Sequence, residues 1–337
     1  MELEFAQKIF NQYKINDIVF SVNQNKTGLI NQTFELSTLK NKYILQEINT
    51  KVFPSYQLGL ENIILIKEWL KKTNYSYEFP SPILNQYMEF DYKVWRLLPF
   101  INNSRSIDRV TKITQVEEAV SCVSEFYNCL KKFPIKKLNV TLQNFHSGKH
   151  KILAFQKALK TANNARKKNA QKLILEIKKS LALLVQWDEI CSQLPVRVVH
   201  YDTKINNFLF ENNNNKVIAL IDFDTLMPGC ILSDIGDMIR TYSNPAGEES
   251  NEISKVICNG DIVTSILNGF KTSCELEINE KQNMFFGGLA ITLMQSIRFL
   301  TDYLNNDIYY NINYENQNLV RASNQFKLYQ SLKDITD

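Results

Sequence analysis

His200, Asp202 and Asn207 stand in the pattern H-x-D-x-x-x-x-N, and Asp222 and Asp224 follow in I-D-F-D-T behind an apolar run at 217–221. These residue types at this spacing can do phosphoryl transfer, which asks for positioning and charge neutralisation more than for covalent chemistry. Asp202 can orient an attacking hydroxyl and accept its proton. Asn207 and Asp222 offer the hard oxygen donors that magnesium prefers, with Asp224 as a further acidic group beside the metal. Lys204, close behind Asp202, can reach a terminal phosphate as a point charge.

The pattern alone is weak, because its fixed residues recur by chance in polar loops that do no chemistry. Its surroundings strengthen it. Residues 208–210 and 216–221 flank asparagines at 212–215, which reads as a β-hairpin, since Asn tolerates left-handed backbone in tight turns. Such a hairpin brings Asn207 and Asp222 to neighbouring points at its open end. Loop, hairpin and acidic pair together form the catalytic-loop signature of kinases.

The elements that must position these groups follow from the rest of the chain. Its 337 residues exceed the usual size of a single core, so two lobes are expected, at 1–101 and 102–337. The first reads mainly as strands, at 18–22, 26–36, 42–48 and 92–101, with one helix at 57–72. The second reads as helices, including apolar stripes at 116–130 and 170–184. Strands followed by helices make an α+β arrangement. In a kinase the strand-rich lobe holds the nucleotide, with a turn at Gly28 over the phosphates and the backbone near Leu98 and Phe100 against adenine. The plainer reading of Gly28 is a simple hairpin turn. A kinase normally carries a lysine on the third strand, paired with a helix glutamate. Here Gln46 falls where that lysine belongs, Glu61 is the candidate glutamate or else a solvated helix residue, and Lys42 or Lys51 could supply the charge.

The helical half carries further polar groups. Asp237, ahead of Met238-Ile239-Arg240, reads as a cap or as a brace for the catalytic loop. Residues 284–300 are nearly apolar, but the stretch is short and holds Gly287, Gly288, Gln295 and Arg298, so a buried helix is expected rather than a membrane span. Gln295, Arg298 and Asp302 share one face of it. Arg298 and Asp302 either pair with each other at i, i+4 or line a pocket that holds a polyhydroxyl substrate. Tyr309, Tyr310 and Tyr314 could stack on a sugar or cage a cation. His146 and His150 lie in no motif and read as structural, and the basic residues at 166–179 read as a solvated helix face.

Composition narrows the classes. The net charge of +4 is too small to argue for nucleic acid, and six scattered cysteines without C-x-x-C argue against a disulfide framework or zinc site and fit a reducing cytoplasm. Residues 1–10 are acidic and amphipathic, unlike a signal peptide.

Motifs along nearly the whole length carry a resemblance: G-L-I-N-Q-T-F, Y-I-L-Q-E-I-N-T-K-V-F, V-W-R-L-L-P-F-I, H-Y-D-T-K-I-N-N, I-D-F-D-T-L-M-P-G, S-D-I-G-D-M-I-R and I-R-F-L-T-D-Y-L-N-N-D-I-Y-Y. The chain resembles the N-acetylhexosamine 1-kinases, a branch of the aminoglycoside phosphotransferase and choline kinase superfamily. It departs from the family's H-N-D-T-K, G-H-I-N-D-T and Q-R-I-N at Tyr201, Leu29, Gln32 and Glu47. The family's own glutamine at position 46 implies that the missing lysine does not mark a dead enzyme. The resemblance implies a bilobal protein-kinase-like fold with an antiparallel-sheet N-lobe and a mainly helical C-lobe. It further implies ATP and Mg²⁺ as cofactors and phosphorylation of N-acetylglucosamine or N-acetylgalactosamine at the anomeric hydroxyl. A kinase for another small alcohol, of choline, ethanolamine or aminoglycoside type, and a nucleotide-binding pseudokinase are the competing readings. The complete set of Asp202, Asn207 and Asp222 argues against the second of these.

Overall fold

The computed structural model describes residues 1–25 and 30–335. Its strands are β1 (Val19–Asn25), β2 (Gln32–Thr38), β3 (Lys42–Ile48), β4 (Met88–Phe90), β5 (Lys93–Pro99), β6 (Ser104–Arg105), β7 (Arg197–Val199), β8 (Phe208–Glu211), β9 (Val217–Leu220) and β10 (Met227–Gly229). Its helices are α1 (Leu3–Asn11), α2 (Tyr56–Leu70), α3 (Ile113–Leu130), α4 (Gly148–Thr161), α5 (Asn164–Asn169), α6 (Gln171–Gln193), α7 (Leu232–Tyr242), α8 (Gly260–Ser273), α9 (Ile278–Leu304) and α10 (Gln317–Lys333). The expected strands and helices are present with shifted ends; β4, β6, β7 and β10 were not anticipated. Part of the strand expected at 26–36, with Gly28, lies outside the described residues.

The first strands form one antiparallel sheet in the order β1-β2-β3-β5-β4. Alternation decides its faces. Phe34, Leu36, Leu45, Trp95 and Leu97 point to a core that α1 covers with Ala6, Ile9 and Phe10. The residues between them, Thr33, Gln46 and Arg96, share the opposite face, because Thr33 pairs with Gln46 and Gln46 with Arg96 across the strands. That face looks into the cleft.

Helix α2 does not belong to the sheet's core. Its buried Ile63, Ile66 and Leu70 join the large helical core of the second body. Residues 1–101 therefore contribute to both cores. At the centre of the helical body α7 crosses α9 closely, since a Cβ on Gly236 would come within 2.4 Å of the Gly287 carbonyl oxygen and one on Gly288 within 2.7 Å of Ile239. Glycines in the middle of a helix are tolerated here because the approach leaves no room for a side chain. Helix α9 is long and apolar enough to cross a membrane by length and composition, but 67% of its most apolar window is buried inside the protein.

The hairpin expected around the asparagines is β8–β9, with Phe208 opposite Leu220. Strand β6 adds to its edge, and Arg105 donates to the turn carbonyls of Asn212 and Asn214 at 3.3 and 2.7 Å.

Candidate active site

The hairpin sets Asn207 at the start of β8 and Asp222 just beyond β9. The backbone N–H of Ile221 donates to Asn207 O at 2.9 Å and locks the open end. His200 ties the preceding loop to the same point. Its Nε2 bonds the Ile221 carbonyl at 3.0 Å and its Nδ1 accepts from the Asp202 N–H at 3.3 Å. Burial lowers its pKa, so the ring is neutral, with the proton on Nε2. The loop turns through Tyr201, a non-glycine residue at φ +66°. Such a conformation costs about 1–2 kcal/mol. Asp234 on α7 holds it, accepting the N–H groups of His200 and Tyr201 at 2.8 and 2.6 Å and the Tyr127 hydroxyl. Asp237 was expected to cap a helix or brace the loop; it lies inside α7 and pairs with Arg240 at 2.8 Å, and Asp234 braces the loop instead.

Asp202 enters the cleft from this braced loop. Its Oδ2 accepts from Asn207 Nδ2 at 3.0 Å and pairs with Lys204 Nζ at 2.8 Å. Its Oδ1 has no partner among the described residues. Burial would raise its pKa, but the Lys204 charge and hydrogen bond, His200 and Asn207 outweigh burial and hold it below the ordinary carboxylate value. The carboxylate is therefore ionised, with one oxygen open.

Asn207 gives its amide N–H groups to Asp202 O and Oδ2, which leaves Oδ1 turned the other way. Asp222 has no ion pair or hydrogen bond among the described residues. Burial and the charges of Asp224 and Asp202 push it up to about 6. A crowded carboxylate beside an unused amide oxygen is the donor set a hard divalent cation would satisfy.

Asp224 differs from the expectation that it joins the metal. Both of its oxygens are held by Arg96, with the Nη2–Oδ2 distance at 2.9 Å, and Asn31 Nδ2 donates to Oδ2 at 2.6 Å. It is the counter-ion of a buried arginine. Arg96 is the residue the sequence did not single out, and the available signal was the W-R-L run, which places one cation between two core residues on a strand. Gln46 accepts from Arg96 Nε at 2.7 Å and donates to Thr33 at 2.9 Å, so it orients this arginine.

The other candidates for the lysine–glutamate pair do not meet. Glu61 is exposed and accepts from Asn139 Nδ2 at 3.0 Å, because α2 turns its apolar side to the helical core and Glu61 away from the sheet. Lys42 pairs with Glu35 at 2.6 Å and Lys51 is exposed. Leu98 and Phe100 line the cleft, where backbone contact with a base was expected.

The cleft has a volume of about 760 Å³ and continues past Asp202 to α9. There Arg298 donates to Gln295 Oε1 at 2.8 Å and lies over the Phe145 and Tyr310 rings at 5.1 and 5.7 Å. It makes no ion pair with Asp302. Asp302 is a turn further along and accepts the N–H groups of Tyr309 and Tyr310, each at 2.9 Å, and Asn318 Nδ2 at 3.0 Å. It braces the loop after α9 and does not line the cleft, a correction to its expected role as a substrate ligand. Tyr309 is likewise outside the cleft lining and 46% exposed; Tyr310 takes the position expected of it. His146, expected to be structural, lines the cleft, with its ring stacked on Phe145 at 4.8 Å and Nδ1 buried without a hydrogen-bond partner among the described residues.

Residues 21–254 match the phosphotransferase enzyme family (APH). The chain belongs to that family. Spectinomycin phosphotransferase APH(9)-Ia, solved with ADP and spectinomycin, is similar with a TM-score of 0.59 at 11% identity, over 99% of this chain and 94% of that one. An aminoglycoside phosphotransferase from Alicyclobacillus acidocaldarius is similar with a TM-score of 0.64 at 11% identity, over 98% and 95% of the two chains. A microcompartment-associated aminopropanol kinase is similar with a TM-score of 0.62 at 10% identity, over 99% and 98%. At these identities the likeness establishes the fold, the bilobal kinase-like α+β fold expected from the sequence.

In this phosphotransferase the matched residues include Arg96, Asp202, Asn207 and Asp222. The open carboxylate of Asp202 and the donor pair Asn207 and Asp222 lie on one wall of the cleft, and Arg96 faces them from the sheet.

Proposed function

We propose that this phosphotransferase is an ATP-dependent kinase of a small alcohol, and that its acceptor is an N-acetylhexosamine phosphorylated at the anomeric hydroxyl. The convergence of Asp202, Asn207 and Asp222 on one cleft carries the first part of this reading; the sequence resemblance to N-acetylhexosamine 1-kinases supports the second. The nucleotide would lie between the sheet of residues 1–101 and the catalytic loop, with its base near Leu98 and Phe100. Asn207 and Asp222 would hold magnesium, which when bound neutralises charge on the phosphates.

The chain's own groups then have distinct tasks. Asp202 presents Oδ1 to the acceptor hydroxyl and accepts its proton. Lys204 keeps Asp202 ionised and stands within reach of the transferred group. Neutral His200 fixes the loop to the end of the hairpin. Gln295, Arg298 and Tyr310 edge the acceptor end. Arg298 already occupies the faces of Phe145 and Tyr310, so a second cation there meets like charge; this favours a sugar over choline or ethanolamine. The free thiols of the described cysteines fit a cytoplasmic setting.

The test is a screen of free N-acetylhexosamines, other sugars and amino alcohols for nucleotide consumption, with phosphorus NMR of the product. An N-acetylhexosamine 1-phosphate is expected. Turnover of an amino alcohol with none of any N-acetylhexosamine would replace the acceptor. Nucleotide binding without turnover of any alcohol would favour a binding role instead.

A further inference from the structure

We propose that Arg96, from β5, supplies the positive charge that the sheet offers to the nucleotide's phosphates, and that Asp224 is the counter-ion that presents it. The inference rests on the phosphotransferase reading and adds to it the group that stands in for the missing strand lysine.

The placement follows from strand register. Arg96 is directly opposite Gln46, so its side chain emerges on the cleft face at the position where a lysine was expected one strand over. There it is 3% exposed and held from several directions. Gln46 takes Nε, Asp224 takes both terminal nitrogens, and the Tyr87 hydroxyl accepts from Nη1 at 3.3 Å. One N–H of Nη2 carries no hydrogen bond among the described residues. Glutamine at 46 is then the fitting neighbour. A lysine would place a second cation against the guanidinium, whereas the amide oxygen accepts from it.

The other cleft cations are committed elsewhere. Lys204 pairs with Asp202, Arg240 with Asp237 and Glu248, Arg105 holds the hairpin turn, and Arg298 sits at the acceptor end. Lys42 is on the same face of β3 as Gln46 but is exposed and paired with Glu35 at 2.6 Å, so among the described residues Arg96 is the buried cation on the sheet's cleft face. The pair also differs in kind from a strand–helix pair. It is made between β5 and the segment carrying Asp222, 128 residues apart, so the phosphate-facing charge is aligned with the metal site directly.

Removing one partner of a buried ion pair strands the other, while replacing both by matched neutral groups is often tolerated. The test therefore uses Arg96→Met with Asp224→Leu, and Arg96→Gln with Asp224→Asn. Dissociation constants of ADP and of adenosine are measured in magnesium-free buffer, on protein whose melting curve shows folding. Adenosine should bind as in the wild type, and ADP should bind about ten- to a hundredfold more weakly. An ADP-to-adenosine affinity ratio equal to the wild type's would overturn the proposal, as would equal weakening of both ligands, which marks a purely structural pair. A readout on the unaltered protein guards against failure to fold: a buried arginine Nε–H resonance should shift with ADP and not with adenosine. No such difference overturns the proposal. Wild-type protein that binds neither ligand would sink the phosphotransferase reading itself.

Discussion

At the catalytic end of the cleft the carboxylates of Asp202, Asp222 and Asp224 face the cations Lys204 and Arg96, and Asp222 is left without a partner among the described residues. At the far end of the cleft, which we propose for the acceptor, Arg298 and Lys151 share the ring of Phe145 and have no carboxylate in ion-pair contact among the described residues. One end is short of positive charge and the other carries it against aromatic faces. The first arrangement suits a cation arriving with a polyanion. The second suits a hydroxyl-rich or electron-rich acceptor, and the aromatic faces supply apolar area without competing hydrogen bonds.

Substitutions should separate the two ends. The largest effect is expected from Asp222→Ala. It removes the unpaired carboxylate, so turnover should fall to assay background and added magnesium should restore little. Nucleotide binding with wild-type magnesium dependence in this variant would remove Asp222 from the metal site.

Next comes Asp202→Asn, which keeps size and the bond to Asn207 but cannot accept a proton. A loss of about 10²–10⁴-fold in kcat is expected, with nucleotide affinity little changed. Steady-state rates and a nucleotide titration check this, and wild-type turnover would refute the assignment of Asp202.

The acceptor end should respond in KM instead. Arg298→Ala should melt near the wild type, because Arg298 holds no carboxylate. Loss of a charged hydrogen bond, about 1.5–3 kcal/mol, corresponds to roughly ten- to a hundredfold in acceptor KM where chemistry is slow. ATP affinity should stay the same. An unchanged acceptor KM in folded protein would take Arg298 out of the acceptor site.

The smallest effect is a pH dependence. Burial and the nearby Arg298 pull the half-buried Lys151 down from 10.5 to about 7. The folded value lies below the unfolded one. The stability associated with this lysine is thus fullest above the unfolded value and is lost as pH falls through about 7. Lys151→Met should therefore raise the melting temperature most below pH 7, on the order of a few degrees, with the gain shrinking toward pH 10. A gain independent of pH would show that the lysine stays protonated throughout.

The catalytic loop and hairpin were legible in the sequence because their contacts are local. His200 reaches Ile221 and Asn207 reaches Asp202 within one short stretch, so residue spacing limits the geometry to few outcomes. The strand and helix pattern was legible for the same reason, through alternation and helical periodicity.

Spacing could not decide the partners of groups that several donors compete for. Asp234 and Asp237 lie one turn apart on α7, and only the docking of that helix against α9 turned Asp234 toward the catalytic loop. Asp302 stood at ideal spacing from Arg298, yet the backbone N–H groups of Tyr309 and Tyr310 had to be satisfied and took it. Arg96 and Asp224 are 128 residues apart. Nothing in either local sequence names the other; they meet because the fold sets the cleft face of β5 opposite the segment that follows β9, and a buried guanidinium must find a carboxylate there. Residue types and local spacing therefore determined which chemistry this chain can do, and tertiary packing decided which charges are paired and which are left open to do it.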